Sequence, residues 1–506
     1  MRAPFHWSSL ALTVSSVLFF FSYPTVDNDL WGHLLFGRET LANGWPLLEN
    51  RFSYTAPTHE WINHEWLAEV VFYGIYRVLG SPGLILLKLA IAGAIVWLLD
   101  RKIRERVDSR LVRTFALIWT MTILWPGFNV RPQLFTYLLY AVLLSLLYRY
   151  GDKSRLVLYW VAPLVLLWIN LHGGVAAGIG AFGLFVISKA VEEGRRHVPF
   201  GSLSVRLAGP ALLSLLCLFV TPYGAELLRF LWDDLQLVRP IVEWQPIPIF
   251  GLAFFELKLA LVAILFYGFK TRSWRRWDFL LTVVVAVLAF RHMRHTPLVG
   301  ITAAPLLADA VQRLVTSVEE DSTPARWPTV LRASVATGLL AVALLQLVWV
   351  GRIHAEHRFH LVVDPREYPS RAADFLVRNG VGGNVAAPFD WGEYLIWKLH
   401  PRGRVSIDGR YTTAYPMEVI DDSLEWMLGR EGWQRLLERH PTDVAVTNSS
   451  HPVTALLDRD EEWVNVYSDP TATVFARETA ETEDLLSRFR DGLLEPPGPP
   501  ALRFPG

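Results

Sequence analysis

The sequence predicts a polytopic α-helical membrane protein, with about eleven transmembrane helices and a C-terminal soluble α/β domain. Of its 506 residues, 52% are hydrophobic and only 19% are charged, whereas soluble proteins carry about 25% charged residues. The mean hydropathy is +0.28. Long apolar runs alternate with basic clusters up to about residue 350, and the composition then becomes that of a soluble protein. The net charge is zero, so nothing indicates a nucleic-acid partner.

Eleven apolar segments could cross a bilayer, although several are shorter than the roughly 20 residues of a full span. They fall near residues 8–23, 83–99, 111–126, 133–148, 157–171, 174–189, 207–221, 248–269, 278–290, 297–313 and 330–350. Basic clusters at 101–110, 148–155, 192–197 and 270–276 share one side of the membrane if the N-terminus is inside, which is the positive-inside pattern. We therefore expect a multi-pass protein of the cell membrane, with its N-terminus inside and its C-terminal domain outside.

Residues 66–80 would reverse the orientation of every later loop if they formed a span. We interpret them as an interfacial amphipathic helix within one long outer loop, 24–82. The predicted organisation is a transmembrane domain over 1–353, which includes this loop, and an extracytoplasmic α/β domain over 354–478. That domain has predicted strands at GNVAAPF, GRVSID and TDVAVT, a helix at WGEYLIWKL and a hairpin that turns at Asp469-Pro470. The Pro/Gly-rich residues 479–506 are expected to be disordered.

Under this topology the unusual polar motifs collect in the outer loops. They are VDNDLWGH and WINHEWL in the first loop, FNVRPQLF in the second, WINLHGG in the third, VRPIVEWQP in the fourth and RHMRHTP in the fifth. Polar groups at membrane depth are costly, so a collection on one side usually marks a functional cavity.

The first loop carries the candidate catalytic carboxylates. Asp27 and Asp29 form a D-x-D pattern directly after the first span. Such a pair can bind a divalent metal ion, Mg²⁺ or Mn²⁺, or supply a general base, and the alternative is helix capping at the membrane edge. His33, four residues after Asp29, either shares that site or is a surface histidine. His64 and Glu65 lack the second histidine of a zinc-protease motif. They either reach the cavity, with Glu65 as a further catalytic carboxylate, or anchor the interfacial helix.

Arginines in the other outer loops suit a different task. Guanidinium groups bind phosphate through two parallel hydrogen bonds, so Arg131, Arg291 and Arg294 are candidates for phosphate binding. The alternative is contact with lipid headgroups from helix ends. Arg291 to His295 contains four cationic or titratable side chains in five residues, on the side where positive charge is normally depleted. We therefore include His292 and His295 in the predicted phosphate site.

For three further groups of residues, the sequence does not decide between a functional and a structural role. His172 could line the cavity, and Glu243 is either another candidate carboxylate or a turn residue. In the soluble domain, acidic, basic and aromatic side chains group in PFDWGEYLIWKL and IDGRYTTAYP. The aromatic rings there either stack on sugars or pack the domain against the rest of the chain.

The pattern resembles the GT-C superfamily of integral membrane glycosyltransferases. The resemblance rests on the acidic residues after the first span, the amphipathic helix in the same loop, the number of spans and the C-terminal soluble domain. The motifs DNDLWGHLLFGRETLANGWPLLENRFSYTAP, WINHEWLAEVVFY and FDWGEYLIWKLHPRGRVSIDGR resemble a narrower, largely uncharacterised prokaryotic group near that superfamily.

The resemblance implies transfer of a sugar from a polyprenyl-phosphate-linked donor to a glycan, lipid or protein acceptor. Asp27 or Asp29 would then be the loop carboxylate, and Arg291 with Arg294, or Arg131, would hold the phosphate. Two alternatives remain. One is a non-enzymatic relative that binds a lipid-linked glycan or scaffolds cell-envelope assembly. The other is a transporter or flippase, which is disfavoured because the ionisable residues are scarce in mid-span.

Overall fold

The computed structural model describes residues 3–150, 156–195, 204–234, 242–320 and 329–506. The chain divides into two compact units. We call Met1–Tyr23 with Ile85–Arg358 the helical unit, and Pro24–Leu84 with Phe359–Gly506 the loop-and-sheet unit. This division differs from the predicted one, in which the first loop was counted with the transmembrane domain.

A helix coincides with each of the eleven apolar segments. Their bounds are Ala3–Phe21, the last part of Trp66–Ile103, Arg110–Leu124, Gln133–Arg149, Val161–Leu171, Val175–Arg195, Gly209–Cys217, Phe255–Lys270, Trp277–Arg291, Thr296–Glu320 and Thr329–His357. Among the described residues, four helices are long and apolar enough to cross a membrane: Trp66–Ile103, Val175–Arg195, Met293–Thr316 and Val330–His357. The count of eleven spans therefore stays a prediction. The basic clusters 148–155 and 192–197 lie partly outside the described residues.

Polar side chains join two of the apolar helices. The Oγ of Ser15, on the first helix, donates a hydrogen bond to Oε1 of Gln346 on the last at 2.6 Å, and Nε2 of Gln346 donates to Oγ of Ser16 at 3.2 Å. Apolar surroundings do not reward the association of apolar faces, so small and polar residues of this kind hold neighbouring spans together.

The loop-and-sheet unit contains a mixed five-stranded sheet. Its strands are β1 Gly383–Ala386, β2 Gly403–Val405, β3 Val444–Asn448, β4 Trp463–Ser468 and β5 Ala472–Arg477, in the order β2-β1-β3-β5-β4. Strand β1 is parallel to β2 and β3, whereas β5 is antiparallel to β3 and β4. The predicted strands, the β4-β5 hairpin and the predicted helix, here Gly392–Leu399, are confirmed. The other helices of this unit are Leu30–Asn43, the first part of Trp66–Ile103, Ser370–Arg378, Met417–Leu428, Arg435–Arg439, Pro452–Leu457 and Glu483–Arg490.

The first loop contacts the edge of the sheet and ends at a helix break. Ser53 and Val405 form an isolated parallel β-bridge, so the loop pairs with the free edge of β2 at one point. Such pairing satisfies backbone groups that an edge strand leaves open. The helix Trp66–Ile103 is broken at Gly80, whose φ of 64° and ψ of −161° lie in a region that favours glycine. The break falls where the sequence predicts that the interfacial helix ends.

The prediction of a disordered tail over 479–506 is wrong. The tail contains the helix Glu483–Arg490, and the Phe504 ring is 4% exposed with its centroid 5.2 Å from that of Trp31. Nε1 of Trp31 donates a hydrogen bond to the carbonyl of Pro505 at 2.7 Å. Prolines disfavour helix and strand, but they do not prevent an aromatic side chain from burying apolar area.

A buried arginine joins the first loop to the sheet. The Arg410 guanidinium donates to both carboxylate oxygens of Asp408, at 2.8 and 2.6 Å, and to Oδ1 of Asn50 at 2.9 Å. Rings surround it at 4.6 to 5.7 Å from its central carbon, and they belong to Phe36, Phe52, Trp61 and Tyr415. Three of these four rings come from the first loop, so burial of one charge orders that loop.

We expect Arg410→Met to destabilise the loop-and-sheet unit by about 3 kcal/mol or more, because it leaves the Asp408 carboxylate buried without its cation. Thermal unfolding of the purified protein measures the change. The control is Arg404→Met, at the exposed position of β2, which we expect to change stability by less than about 0.5 kcal/mol. Equal losses in the two variants would contradict the role assigned to Arg410.

Candidate functional site

The two aspartates of the first loop have different environments. Asp27 is buried, and its Oδ1 accepts a hydrogen bond from the backbone N–H of Asp29 at 3.2 Å. This contact stabilises the turn that leads into the helix Leu30–Asn43. Asp29 stands at the N-cap position of that helix, but its side chain makes no capping hydrogen bond. The two carboxylates therefore differ in their contacts with the start of this helix.

The Asp29 carboxylate shares its surroundings with Glu393, at the start of the helix Gly392–Leu399. Oε2 of Glu393 accepts a hydrogen bond from the backbone N–H of Gly32 at 3.1 Å. A Cβ atom on Gly32 would overlap this carboxyl group. A Cβ atom on Gly409 would lie 2.9 Å from Oε1 of Glu393, and closer still to Oδ1 of Asp29. Two carboxyl groups occupy the space next to the backbone of these glycines, so a side chain at either position would displace at least one of them.

The surroundings of Glu393 favour the neutral form of its carboxyl group. Burial raises the pKa of the Glu393 carboxyl well above its usual range, and the charges of Asp29 and Asp408 add to the effect. Two adjacent carboxylates rarely both ionise in a dry site. The pair therefore resembles the arrangements in which one carboxyl group keeps a proton and the other carries the negative charge.

A second cluster lies on the same loop and could hold a metal ion. One ligand atom each from His33, Glu65 and Glu69 lies within 4.8 Å of the others. Nδ1 of His33 is 3.3 Å from Oε1 of Glu69, and Nδ2 of Asn63 donates to the other oxygen of Glu69 at 2.6 Å. His64 adjoins the cluster, with Nε2 3.6 Å from Oε1 of Glu65.

The cluster has an excess of negative charge that favours a cation. Burial lowers the pKa of His33, but the hydrogen bond to Glu69 and the charges of Glu65, Glu69 and Asp29 outweigh it and raise that pKa to about 9. Two carboxylates and an imidazole are a donor set that Mn²⁺ accepts, and the bond from Asn63 orients one of them as outer contacts of metal ligands do. The residues present therefore fit a divalent ion, at a place displaced from the predicted Asp27 and Asp29 ligands.

The helical unit groups several of the predicted phosphate-binding residues around Trp244. Nδ1 of His292 lies 2.8 Å from the Trp244 carbonyl oxygen, and the Arg294 guanidinium lies 4.5 Å from the centroid of the Trp244 ring. The ring of His295 is 6.1 Å from that of His292. This cluster is rich in positive and titratable groups, as the sequence predicts.

The charge of Arg131 is balanced within the same unit. Its Nη1 donates to both oxygens of Glu243, at 3.1 and 3.2 Å, and both side chains are partly exposed. An anion that binds Arg131 must therefore compete with Glu243, so Arg294 is the better candidate for phosphate.

Two further candidates occupy simpler positions. Arg291 is exposed in the last turn of Trp277–Arg291. His172 is buried, and its Nδ1 accepts from the backbone N–H of Gly174 at 2.8 Å and lies 2.9 Å from Oγ1 of Thr136. These contacts give His172 a structural task in the turn between Val161–Leu171 and Val175–Arg195.

Two residues of these clusters were missed as site residues. Glu69 lies four residues after Glu65, and this helical spacing could have suggested a shared face. Glu393 was noted only as part of an acidic group, because nothing local places it against a loop some 360 residues earlier. The predicted residues fall into two sets, one in each unit. Asp27, Asp29, His33, His64 and Glu65 belong to the loop-and-sheet unit, and Arg131, His172, Glu243, Arg291, His292, Arg294 and His295 belong to the helical unit.

No protein-family model and no curated protein matches the chain. Among solved structures, the oligosaccharyltransferase AglB of Archaeoglobus fulgidus, in complex with an inhibitory peptide and a dolichol-phosphate, aligns with a TM-score of 0.56 at 11% identity. The alignment covers 94% of this chain and 74% of AglB. The arabinofuranosyltransferase AftD from Mycobacteria aligns with a TM-score of 0.53 at 16% identity, over 94% of this chain and 42% of AftD.

These structures define the class of fold. Both are membrane glycosyltransferases of the GT-C superfamily, and at these identities the likeness is one of fold. The chain has a GT-C fold, and the resemblance inferred from its first-loop acidic residues, amphipathic helix and soluble domain is confirmed at that level. The four long apolar helices of the described residues have the length and composition of membrane-spanning helices.

Glu393→Gln tests the neutral state of the buried carboxyl group. The stabilisation from the protonated form is complete below the unfolded pKa, near 4.5, and is lost as the pH rises toward the higher folded pKa. From pH 5 to pH 8 we expect the wild type to lose about 1 kcal/mol or more relative to Glu393→Gln, whose amide cannot ionise.

Thermal unfolding midpoints across this pH range provide the measurement. Glu483→Gln is the matched control, because its side chain is exposed and its pH profile should follow the wild type. Parallel profiles for the wild type and Glu393→Gln would show that Glu393 is ionised in the folded protein.

Proposed function

We propose that the chain transfers a sugar from a polyprenyl-phosphate-linked donor to an extracytoplasmic acceptor, with Asp29 as the general base. The GT-C fold supports the reaction class. Among the similar structures, AglB was solved with a dolichol-phosphate, which is a polyprenyl phosphate, and AftD is an arabinofuranosyltransferase. The acceptor is a hydroxyl or amide group of a glycan, lipid or protein.

The single observation that carries the assignment is the difference between Asp27 and Asp29. Asp27 uses a carboxylate oxygen to fix the turn, whereas Asp29 stands at a helix N-terminus without capping it. Burial raises the pKa of the Glu393 carboxyl well above its usual range, so in this proposal Glu393 is the protonated member of the pair and Asp29 the charged one. A carboxylate beside a neutral partner is suited to accept a proton.

The chemistry is a direct displacement. The acceptor oxygen or nitrogen forms a bond to the anomeric carbon of the sugar, and the bond from that carbon to the phosphate oxygen breaks. Asp29 takes the acceptor's proton, and the electron pair of the broken bond leaves on the polyprenyl phosphate. Such a displacement inverts the anomeric centre. The leaving phosphate gains negative charge, which fixed cations stabilise.

Arg294 and Arg291 of the helical unit are proposed to bind a polyprenyl phosphate, with His292 and His295 beside them. Arg294 is held against the Trp244 ring, which limits the motion of its guanidinium before an anion arrives. Arg131 contributes less in this proposal, because Glu243 already neutralises it.

His33, Glu65 and Glu69 are proposed to hold a divalent cation, with Mn²⁺ favoured over Mg²⁺ by the imidazole ligand. When bound, the ion would supply positive charge beside the carboxylates of the first loop. Asn63 would restrict the orientation of the Glu69 carboxylate, because its amide donates a hydrogen bond to one of the carboxylate oxygens. His64, which adjoins Glu65, is proposed to contact the substrate.

We expect Asp29→Asn to lower sugar transfer by a factor of about 100 or more, the usual contribution of a general base, and Asp27→Asn to retain most activity. The protein is reconstituted in lipid nanodiscs with polyprenyl-phosphate-linked sugars, and release of free polyprenyl phosphate is followed by mass spectrometry. Full activity in Asp29→Asn would overturn the assignment. If the wild type retains a lipid-linked sugar but transfers none, the non-enzymatic binding hypothesis replaces this one.

Metal binding can be measured without any activity. Titration of the purified protein with Mn²⁺, followed by electron paramagnetic resonance, should give one site per chain. We expect His33→Asn and Glu69→Gln to weaken the affinity at least tenfold, as loss of one ligand from a three-residue site should. His59→Asn, on the same loop but outside the cluster, is the control. Equal Mn²⁺ affinities in all four proteins would disprove the site.

A further inference from the structure

The helical unit contains a cavity that has no role in the proposed sugar transfer. Three helices line it: the end of Trp66–Ile103, the end of Gln133–Arg149 and the middle of Thr296–Glu320. Its volume is about 60 Å³, which is several times the 10–15 Å³ or so that one water molecule needs. A phosphate group fits such a space.

The walls of the cavity are divided by polarity. Apolar side chains come from Leu98, Leu99, Ala141, Leu144, Ile301 and Pro305. Arg101, Lys102 and Arg149 add three cations from the last turns of two apolar helices, against one carboxylate from Glu105. One part of the cavity therefore suits a hydrocarbon chain, and the other suits an anion.

Two of these three cations lack a carboxylate partner among the described residues. The exception is Lys102, which is paired with Glu105 and lies 4.4 Å from the centroid of the Tyr148 ring. Among the residues that the structure describes, no carboxylate forms an ion pair with Arg101 or Arg149. The nearby Asp278 carboxylate is already shared by Arg106 and Arg276. An incoming anion would therefore meet an excess of positive charge, with the hydroxyls of Ser145 and Tyr148 beside it.

Simpler explanations account for part of this pattern. Cations at helix C-termini are favoured by the helix dipole, and arginines at the ends of apolar helices often reach lipid headgroups without selecting one. Neither explanation requires a cavity whose cations come from two helices and whose apolar wall is completed by a third. Basic pockets between transmembrane helices are typical sites for anionic headgroups.

We propose that this cavity binds the phosphate of an anionic phospholipid, with Arg101, Lys102 and Arg149 around the headgroup and an acyl chain against the apolar wall. The site is independent of the carboxylate cluster and of the proposed sugar transfer. A soluble phosphate-containing anion shares the headgroup chemistry, so the experiment must separate the two sources.

The test uses the full chain, purified in detergent and delipidated. The added probes are phosphatidylglycerol, phosphatidylcholine or inorganic phosphate, and native mass spectrometry and thermal unfolding report binding. We expect one phosphatidylglycerol to be retained per chain and to raise the unfolding midpoint, whereas phosphatidylcholine does neither. Stabilisation by inorganic phosphate equal to that by phosphatidylglycerol would assign the site to a soluble anion and overturn the lipid source.

Two variants test the residues. The triple variant Arg101→Gln, Lys102→Gln, Arg149→Gln should bind phosphatidylglycerol at least tenfold more weakly. Its control, Arg104→Gln, Arg272→Gln, Arg275→Gln, removes the same charge at exposed positions outside the cavity. Ser145→Leu fills the cavity without a change in charge, and it should also lose the bound lipid. This variant tests the proposal even if the triple variant fails to fold. Equal retention of the two phospholipids, or of phosphatidylglycerol by Ser145→Leu and wild type, would contradict the proposal.

Discussion

Burial of the Arg410 guanidinium is the interaction on which the order of the first loop depends. Removal of a charge from water costs several kcal/mol, and only good geometry offsets that cost. Asp408 supplies the counter-charge from the same turn, but the ring faces come mainly from Phe36, Phe52 and Trp61 of the loop. Burial of Arg410 therefore needs both the counter-charge beside the sheet and the aromatic rings of the loop. Asp29 and His33 precede Phe36 on one short segment, so the contact that buries Arg410 also fixes the position of the candidate site.

The loop-and-sheet unit also brings several carboxyl groups close together. Like charges at short distances destabilise a fold unless protons or cations intervene. Raised pKa values at two groups, Glu393 and His33, reduce the repulsion in this unit, because both shifts favour the protonated form. Burial and the charges of Asp29 and Asp408 raise the pKa of the Glu393 carboxyl. Burial alone would lower the pKa of His33, but its hydrogen bond to Glu69 and the neighbouring carboxylates outweigh that effect. Clusters with shifted pKa values cost stability, and they concentrate at functional sites.

The sequence predicted the parts of the structure that depend on local pattern. Hydrophobic runs located the helices, alternation and turn residues located the strands, and the D-x-D pattern marked Asp27 and Asp29. Contacts between segments that are distant in the sequence could not be predicted in this way. No spacing shows that Glu393 meets Gly32, or that Arg131 is neutralised by Glu243, because each pair forms only after the chain has folded. The tail was misjudged for a related reason: composition records its prolines, but the burial of Phe504 depends on Trp31, more than 470 residues earlier.

The distribution of charge also bears on whether the chain is an enzyme or a binding protein. A protein that only holds a lipid-linked sugar needs cations for the phosphate and surfaces for the sugar, and the helical unit offers the first of these around Arg294. It gains nothing from a carboxyl pair in which one member is neutral and the other charged. That arrangement is costly, and a side chain at Gly32 or Gly409 would displace at least one of its carboxyl groups. Proton transfer is the chemistry that uses such a pair, so the neighbouring carboxyl groups of Asp29 and Glu393 agree better with the proposed sugar transfer than with binding alone.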